Sequence, residues 1–121
     1  MSRSPRRGEV YLAQLDTLRP VIILSVDALN KFALDVCVVP VTTKQHAQFS
    51  MRVPLKAKDG GLQHDCWAKC DQTTTLEKSL LRPTAMGMLP EEKFNQIQEQ
   101  VRVCLGLLAE RVSRSGRAKW I

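Results

Sequence analysis

At 121 residues the chain is long enough for one domain with its own core and too short for two. Its 18 Lys and Arg outnumber its 12 Asp and Glu, and the whole surplus of +6 lies in the end segments MSRSPRR and SRSGRAKWI, with three cations each. No apolar run approaches a membrane span and the basic start lacks the apolar middle of a secretory signal, so the expectation is a cytoplasmic protein rather than a membrane or exported one.

Residues 1–7 and 113–121 read as basic tails on an electrically neutral body, 8–112, of a single domain. Such tails raise encounter rates with any polyanion, RNA included, without supplying sequence choice; solubilising ends are the equally ordinary reading. After Gly8, EVYLAQL (9–15) predicts a strand, and PVIILS (20–25) a second, too short and too β-branched for a helix. Only Asp16 to Arg19 separates them, which suggests a tight antiparallel hairpin. Arg19-Pro20 poses a question here. Arg19 either marks the wet end of a buried strand, or is held at a strand mouth to meet something anionic.

VDALNKFALD has room for one helical turn. VCVVPVT (36–42) predicts a third strand, with Pro40 restricting it to an edge or a bulge. Thr42 and Thr43 put hydroxyls at its end, although threonine is common in strands for packing reasons alone. MRVPL (51–55) is a fourth strand, with Phe49 and Met51 as core candidates, and KAKDGGL a turn. HDCWAKCD (64–71) is a fifth and TAMGML (84–89) a short sixth.

From Pro90 the period changes. Phe94, Ile97, Val101, Cys104, Leu105, Leu108 and Val112 recur at the spacing of an amphipathic helix, with Gly116 just beyond. Short strands and one terminal helix indicate a small, strongly bent antiparallel sheet or partial barrel with the helix packed on it.

Alternation along the fifth strand puts His64, Cys66, Ala68 and Cys70 on one face, suited to a core, and Asp65, Trp67, Lys69 and Asp71 on the other. An aromatic, a cation and a carboxylate in one column could stack a base, meet a phosphate and accept a proton. A solvated face is the more ordinary reading of the same spacing. Cys37, Cys66, Cys70 and Cys104 read as reduced thiols rather than disulfides, and the spacing of Cys66 and Cys70 gives little support for a metal site. Phosphate-loop, nucleophile-elbow and metalloprotease motifs are all missing.

In order, RRGEVYLAQLD, RPVIILSVDALN, VVPVTTK, CDQTTTLEKSLL and the terminal helix resemble the MazF/PemK (Kid) family of toxin endoribonucleases over roughly residues 7 to 110. The resemblance implies an SH3-like barrel of about five antiparallel strands with helices, a homodimer, a cognate antitoxin, and cleavage of single-stranded RNA with neither metal nor other cofactor. The ribose 2′-OH attacks the adjacent phosphorus, leaving a cyclic phosphate and a 5′-hydroxyl.

By position, the resemblance makes Arg19 the family's phosphate-stabilising or leaving-group arginine and Thr42 its catalytic threonine, followed by Thr43. Asp71 stands at the proposed general base of Kid-like members and Lys69 where they have arginine. Asp65, Trp67, Met51 and Gln72, with Thr43, fall at RNA-contacting positions. Two departures stand out. The family's longer glycine-rich first loop, with its glutamate and sometimes a histidine, is cut to Asp16-Thr17-Leu18, and lysine at 69 lacks the planar fork that binds phosphate in a bidentate manner. A non-catalytic toxin acting by protein binding, as the similar CcdB toxin does on DNA gyrase, and an RNA-binding remnant are the alternatives.

Overall fold

The computed structural model describes residues 4–44 and 51–107, so the expectations for Phe49, Leu108, Val112, Gly116 and the segment 113–121 lie outside the described residues. Strand β1 (Glu9–Gln14) and β2 (Leu18–Ile23) form the expected hairpin, paired from Val10–Ile22 to Gln14–Leu18. Its turn is closed locally: the Thr17 N–H donates to Asp16 Oδ1 at 2.8 Å and the Leu15 N–H to the Thr17 carbonyl at 3.0 Å. Because β2 already begins at Leu18, Arg19 lies inside the strand, opposite Ala13, rather than just ahead of it.

A short helix, α1 (Asp27–Phe32), leads into the longest strand, β3 (Asp35–Thr42). One edge of β3 meets β2 through Val21–Pro40, Ile22–Val39 and Ile23–Val38. The opposite edge is shared. Its first half pairs with β6 (Thr74–Glu77), and its last two residues pair with β5 (Cys66–Lys69). Strand β4 (Arg52–Leu55) extends the sheet beyond β5, and β7 (Gly87–Met88) extends it beyond β1. Strand β3 is therefore interior, not the edge that Pro40 suggested. Pro40 falls between the last β6 pair, at Val38, and the first β5 pair, at Val41, in the interval where that edge has no ladder to lose.

Both faces of the central strands are covered, which is why their sequences read as nearly unbroken apolar runs. Val10, Ile22, Val39 and Val41 point into one core with Leu55, Ala68 and Cys70, closed by Ile97 and Val101 of helix α2 (Glu91–Cys104). Tyr11, Val21, Ile23, Val36 and Val38 form the second, flanked by Leu15, Leu76, Leu81 and Ala85. The result is the bent antiparallel half-barrel with a terminal helix expected from the pattern. Gly61 (φ +80) brings the 59–61 turn against the segment leading to β7, where a Cβ would lie 2.3 Å from the Met86 carbonyl oxygen.

Four local expectations differ. The sixth expected strand, 84–89, is reduced to Gly87–Met88. The fifth strand is confined to 66–69, with a bend before it and a 3₁₀ turn at Cys70–Gln72 after it. Strand β6 was not expected, because TTLE exposes all but Leu76 and shows no apolar alternation. Helix α2 stops at Cys104 although the apolar spacing runs on, since Gly106 turns left-handed (φ +71) and the N–H groups of Gly106 and Leu107 return to the Val103 and Arg102 carbonyls.

Arg7, expected in a tail, is a staple. Its guanidinium donates to the Leu24 carbonyl and to Gln98 Oε1 and lies 5.1 Å from the Phe94 ring, while its N–H donates to the Asp27 carboxylate at 3.0 Å. Among the described residues no helix is long and apolar enough to cross a membrane.

Candidate active site

The register of the sheet sets the site. The β2–β3 ladder ends at Val21–Pro40, and beyond it Arg19 and Thr42 line one cleft; Thr42 pairs with Trp67, and Trp67 with Pro54. Cross-strand partners share a face, so Thr42 and Trp67 form one row. In the next row Arg52 lies directly opposite Lys69, and Arg52 Nε is buried without a hydrogen-bond partner. Like charges placed across a ladder repel. An anion between them would relieve that repulsion and satisfy the guanidinium.

At the mouth of the half-barrel a cleft of about 420 Å³ is lined by Arg19, Thr42, Thr43, Lys44, Gln63 and His64. Its floor includes Val41, Leu62 and Cys66. Arg19 donates from Nε to Asp16 Oδ1 at 3.0 Å and from Nη2 to Asp16 Oδ2 at 3.2 Å. That contact uses one edge of the planar fork and leaves the other to bind a partner such as phosphate in a bidentate manner. Asp16 raises the Arg19 pKa further, first through the hydrogen bonds and then through its charge. The Asp16 carboxyl is in turn held below its usual value, first by the Arg19 hydrogen bond and then by the Thr17 N–H.

Thr42 Oγ1 accepts the Lys44 N–H at 3.1 Å, which fixes the hydroxyl oxygen and leaves its proton free to donate. Cys66 reaches the cleft floor, but burial, then the charges of Asp65 and Asp59, push its thiol up to about 11, so it is no thiolate nucleophile near neutral pH. All four cysteines are free. No group of three or more His, Cys, Asp or Glu among the described residues is arranged to hold a metal ion.

The structure thus brings Arg19, Thr42 and Thr43 into one cleft, with half-buried Trp67 and Lys69 alongside on the sheet face. The other expected residues lie apart from the cleft lining. Asp71, in the 70–72 turn that packs against α2, is exposed; burial raises the Cys70 and Cys104 thiols, and the Asp71 charge adds to it; Gln72 follows, also exposed. Asp65 spends Oδ1 on the Ala57 N–H at 2.8 Å, and Met51 Sδ lies 3.5 Å from Cys104 Sγ.

His64 was expected in the core and is instead exposed at the cleft, because β5 starts two residues later. Lys44, Gln63 and Arg52 were not singled out from sequence. For Arg52 a signal existed: alternation in MRVPL sets it opposite in face to Val53 and Leu55.

Residues 6–105 match the model of a family described as PemK-like, MazF-like toxin of type II toxin-antitoxin system. Among solved structures, an endoribonuclease in complex with its cognate antitoxin from Mycobacterial species is 29% identical, with 85% of this chain and 96% of that chain covered and a TM-score of 0.74. The Mycobacterium tuberculosis toxin MazF-mt6 is 28% identical, with 82% and 97% covered and a TM-score of 0.73. A MazE-MazF structure from Deinococcus radiodurans shares the fold at 21% identity, with 86% and 97% covered and a TM-score of 0.72.

Proposed function

The chain belongs to the PemK-like, MazF-like toxin family of type II toxin-antitoxin systems, and from that premise we propose that it is a metal-independent endoribonuclease that cleaves single-stranded RNA in the cytoplasm. It acts as a homodimer and is restrained by a cognate antitoxin. The observation that carries this reading is Arg19, oriented by Asp16, lining one cleft with the Thr42 and Thr43 hydroxyls.

In-line attack of a 2′-OH on its own 3′-phosphodiester gathers negative charge on the phosphoryl oxygens. Charge placed in advance at those oxygens is what lowers the barrier. The free edge of Arg19 and the Thr42 proton take them, with Thr43 and Lys44 at the rim. Flanking nucleotides run along the sheet face, stacking on Trp67 and setting a phosphate between Lys69 and Arg52. Asp71, Gln72, Asp65 and Met51 then stand as contacts to RNA beyond the cleft, and Asp71 is not the group that takes the proton.

Incubating the full chain with a defined RNA in excess EDTA tests the reading. Products carrying a 2′,3′-cyclic phosphate and a 5′-hydroxyl are expected, and loss of these products on substituting Arg19 by Ala. Intact RNA at high protein concentration, or cleavage that stops on chelation, overturns it.

A further inference from the structure

We propose that His64 is the proton acceptor for the attacking 2′-OH, a role that rests on the endoribonuclease reading and deepens it. The cleft needs a base, and its other groups are poorly suited to that task. Arg19 and Lys44 are cations, and Asp16 strengthens the proton affinity of Arg19. Thr42 and Thr43 are hydroxyl donors. The Cys66 thiol is buried and holds its proton far above neutrality. Asp16 has Oδ1 accepting from both the Thr17 N–H and Arg19 Nε, and Oδ2 from Arg19 Nη2, so its lone pairs are largely occupied.

Imidazole is the side chain best matched to proton transfer near neutral pH. His64 is also mounted for the task. The segment that carries it is pinned on both sides: Leu62 is buried at 4% exposure, the Asp65 carboxylate is tied to the Ala57 N–H, and Cys66 starts β5 in the core. A surface residue between such anchors is displayed rather than loose.

In the step, the neutral imidazole takes the 2′-OH proton as the O2′–P bond forms and the P–O5′ bond breaks. The departing O5′ takes a proton from water in the open cleft, and the imidazolium then returns its proton to solvent. The products are the 2′,3′-cyclic phosphate and the 5′-hydroxyl, with no change of oxidation state.

The test compares His64→Ala and His64→Gln with the unaltered full chain on one RNA oligonucleotide in EDTA, with and without free imidazole. Both variants should lose roughly 10²-fold or more in kcat with KM and the thermal unfolding midpoint unchanged. Added imidazole should restore part of the His64→Ala rate in proportion to its concentration, without accelerating the unaltered chain. Cleavage by His64→Ala within about twofold of the unaltered chain, or a loss that imidazole leaves in place, overturns the inference while leaving the nuclease reading intact. No cleavage by the unaltered chain overturns both.

Discussion

The two ends of β5 begin alike in sequence and finish in different parts of the molecule. Upstream, His64 is exposed beside Arg19 and Thr42 at the mouth of the half-barrel. Downstream, Cys70 is buried in the core that α2 covers, and Asp71 sits near Cys104 at the far end of that helix. Each end carries a group able to take a proton, His64 upstream and Asp71 downstream, and the sequence pointed only to Asp71. Only the ladder distinguishes them, because strand alternation fixes a side chain's face for as long as neighbouring strands hold the pairing. Pairing with β3 covers just Ala68 and Trp67, so both flanks turn away: the upstream one to the cleft, the downstream one to the core beneath α2.

The comparison breaks most sharply if the two ends exchange roles under mutation. At the cleft, Arg19→Ala should lower the cleavage rate roughly 10²–10³-fold, as loss of one transition-state donor does, with no change in the thermal unfolding midpoint. Arg19→Lys should recover little, since the ammonium lacks the second fork edge. Steady-state kinetics and a melting curve on the same samples check both halves.

At the helix end the pattern should invert. Ile97, fully buried between α2 and the sheet, should cost about 2–5 kcal/mol on truncation to Ala, while the cleavage rate per folded molecule stays near that of the unaltered chain. Chemical denaturation with active-site titration separates the two quantities. Asp71→Asn offers a finer cut. With the carboxylate outside the cleft, the expected fall in kcat is less than about tenfold, well short of what a general base supplies. A fall comparable to that of Arg19→Ala would return the base to the downstream end.

Much of this frame was legible from sequence because apolar period carries directly into structure. The hairpin, β3, β4 and α2 stand where EVYLAQL, VIIL, CVVPV, RVPL and the Phe94–Ile97–Val101 spacing put them. What period cannot carry was lost. Strand β6 is held by its backbone ladder to β3, and its exposed threonines and glutamate announce nothing. The apolar spacing past Cys104 outlasts the helix because Gly106 ends it by backbone conformation rather than by polarity. Within the candidate site, Arg19 and Thr42 are singled out only by resemblance to known toxins, each at the end of an apolar strand. The wall made by Gln63 and His64 depends on where β5 stops pairing, which no window of its own residues encodes. Arg7 reads as one more tail cation until Leu24, Phe94 and Gln98 are brought around it.

The smallest effect concerns the two thiols that bracket β5. Burial, aided by Asp65 and Asp59, pushes Cys66 up to about 11; burial, aided by Cys104, pushes Cys70 up to about 12. In the unfolded chain both return to the ordinary thiol range, near about 8.5. A group whose pKa is higher folded than unfolded favours the folded state in its protonated form. Its contribution is complete below the unfolded value and is lost as pH rises toward the folded one. Stability should therefore be insensitive to these thiols up to about pH 8 and decline above it, over the window that runs from about 8.5 to about 11 for Cys66 and to about 12 for Cys70. Thiolate absorbance followed in Cys66→Ser and Cys70→Ser should show the cleft-end thiol ionising first in the folded protein. The reverse order would mean that the α2 end is the more open of the two, contrary to the packing of Cys70 beneath Val101 and Ile97.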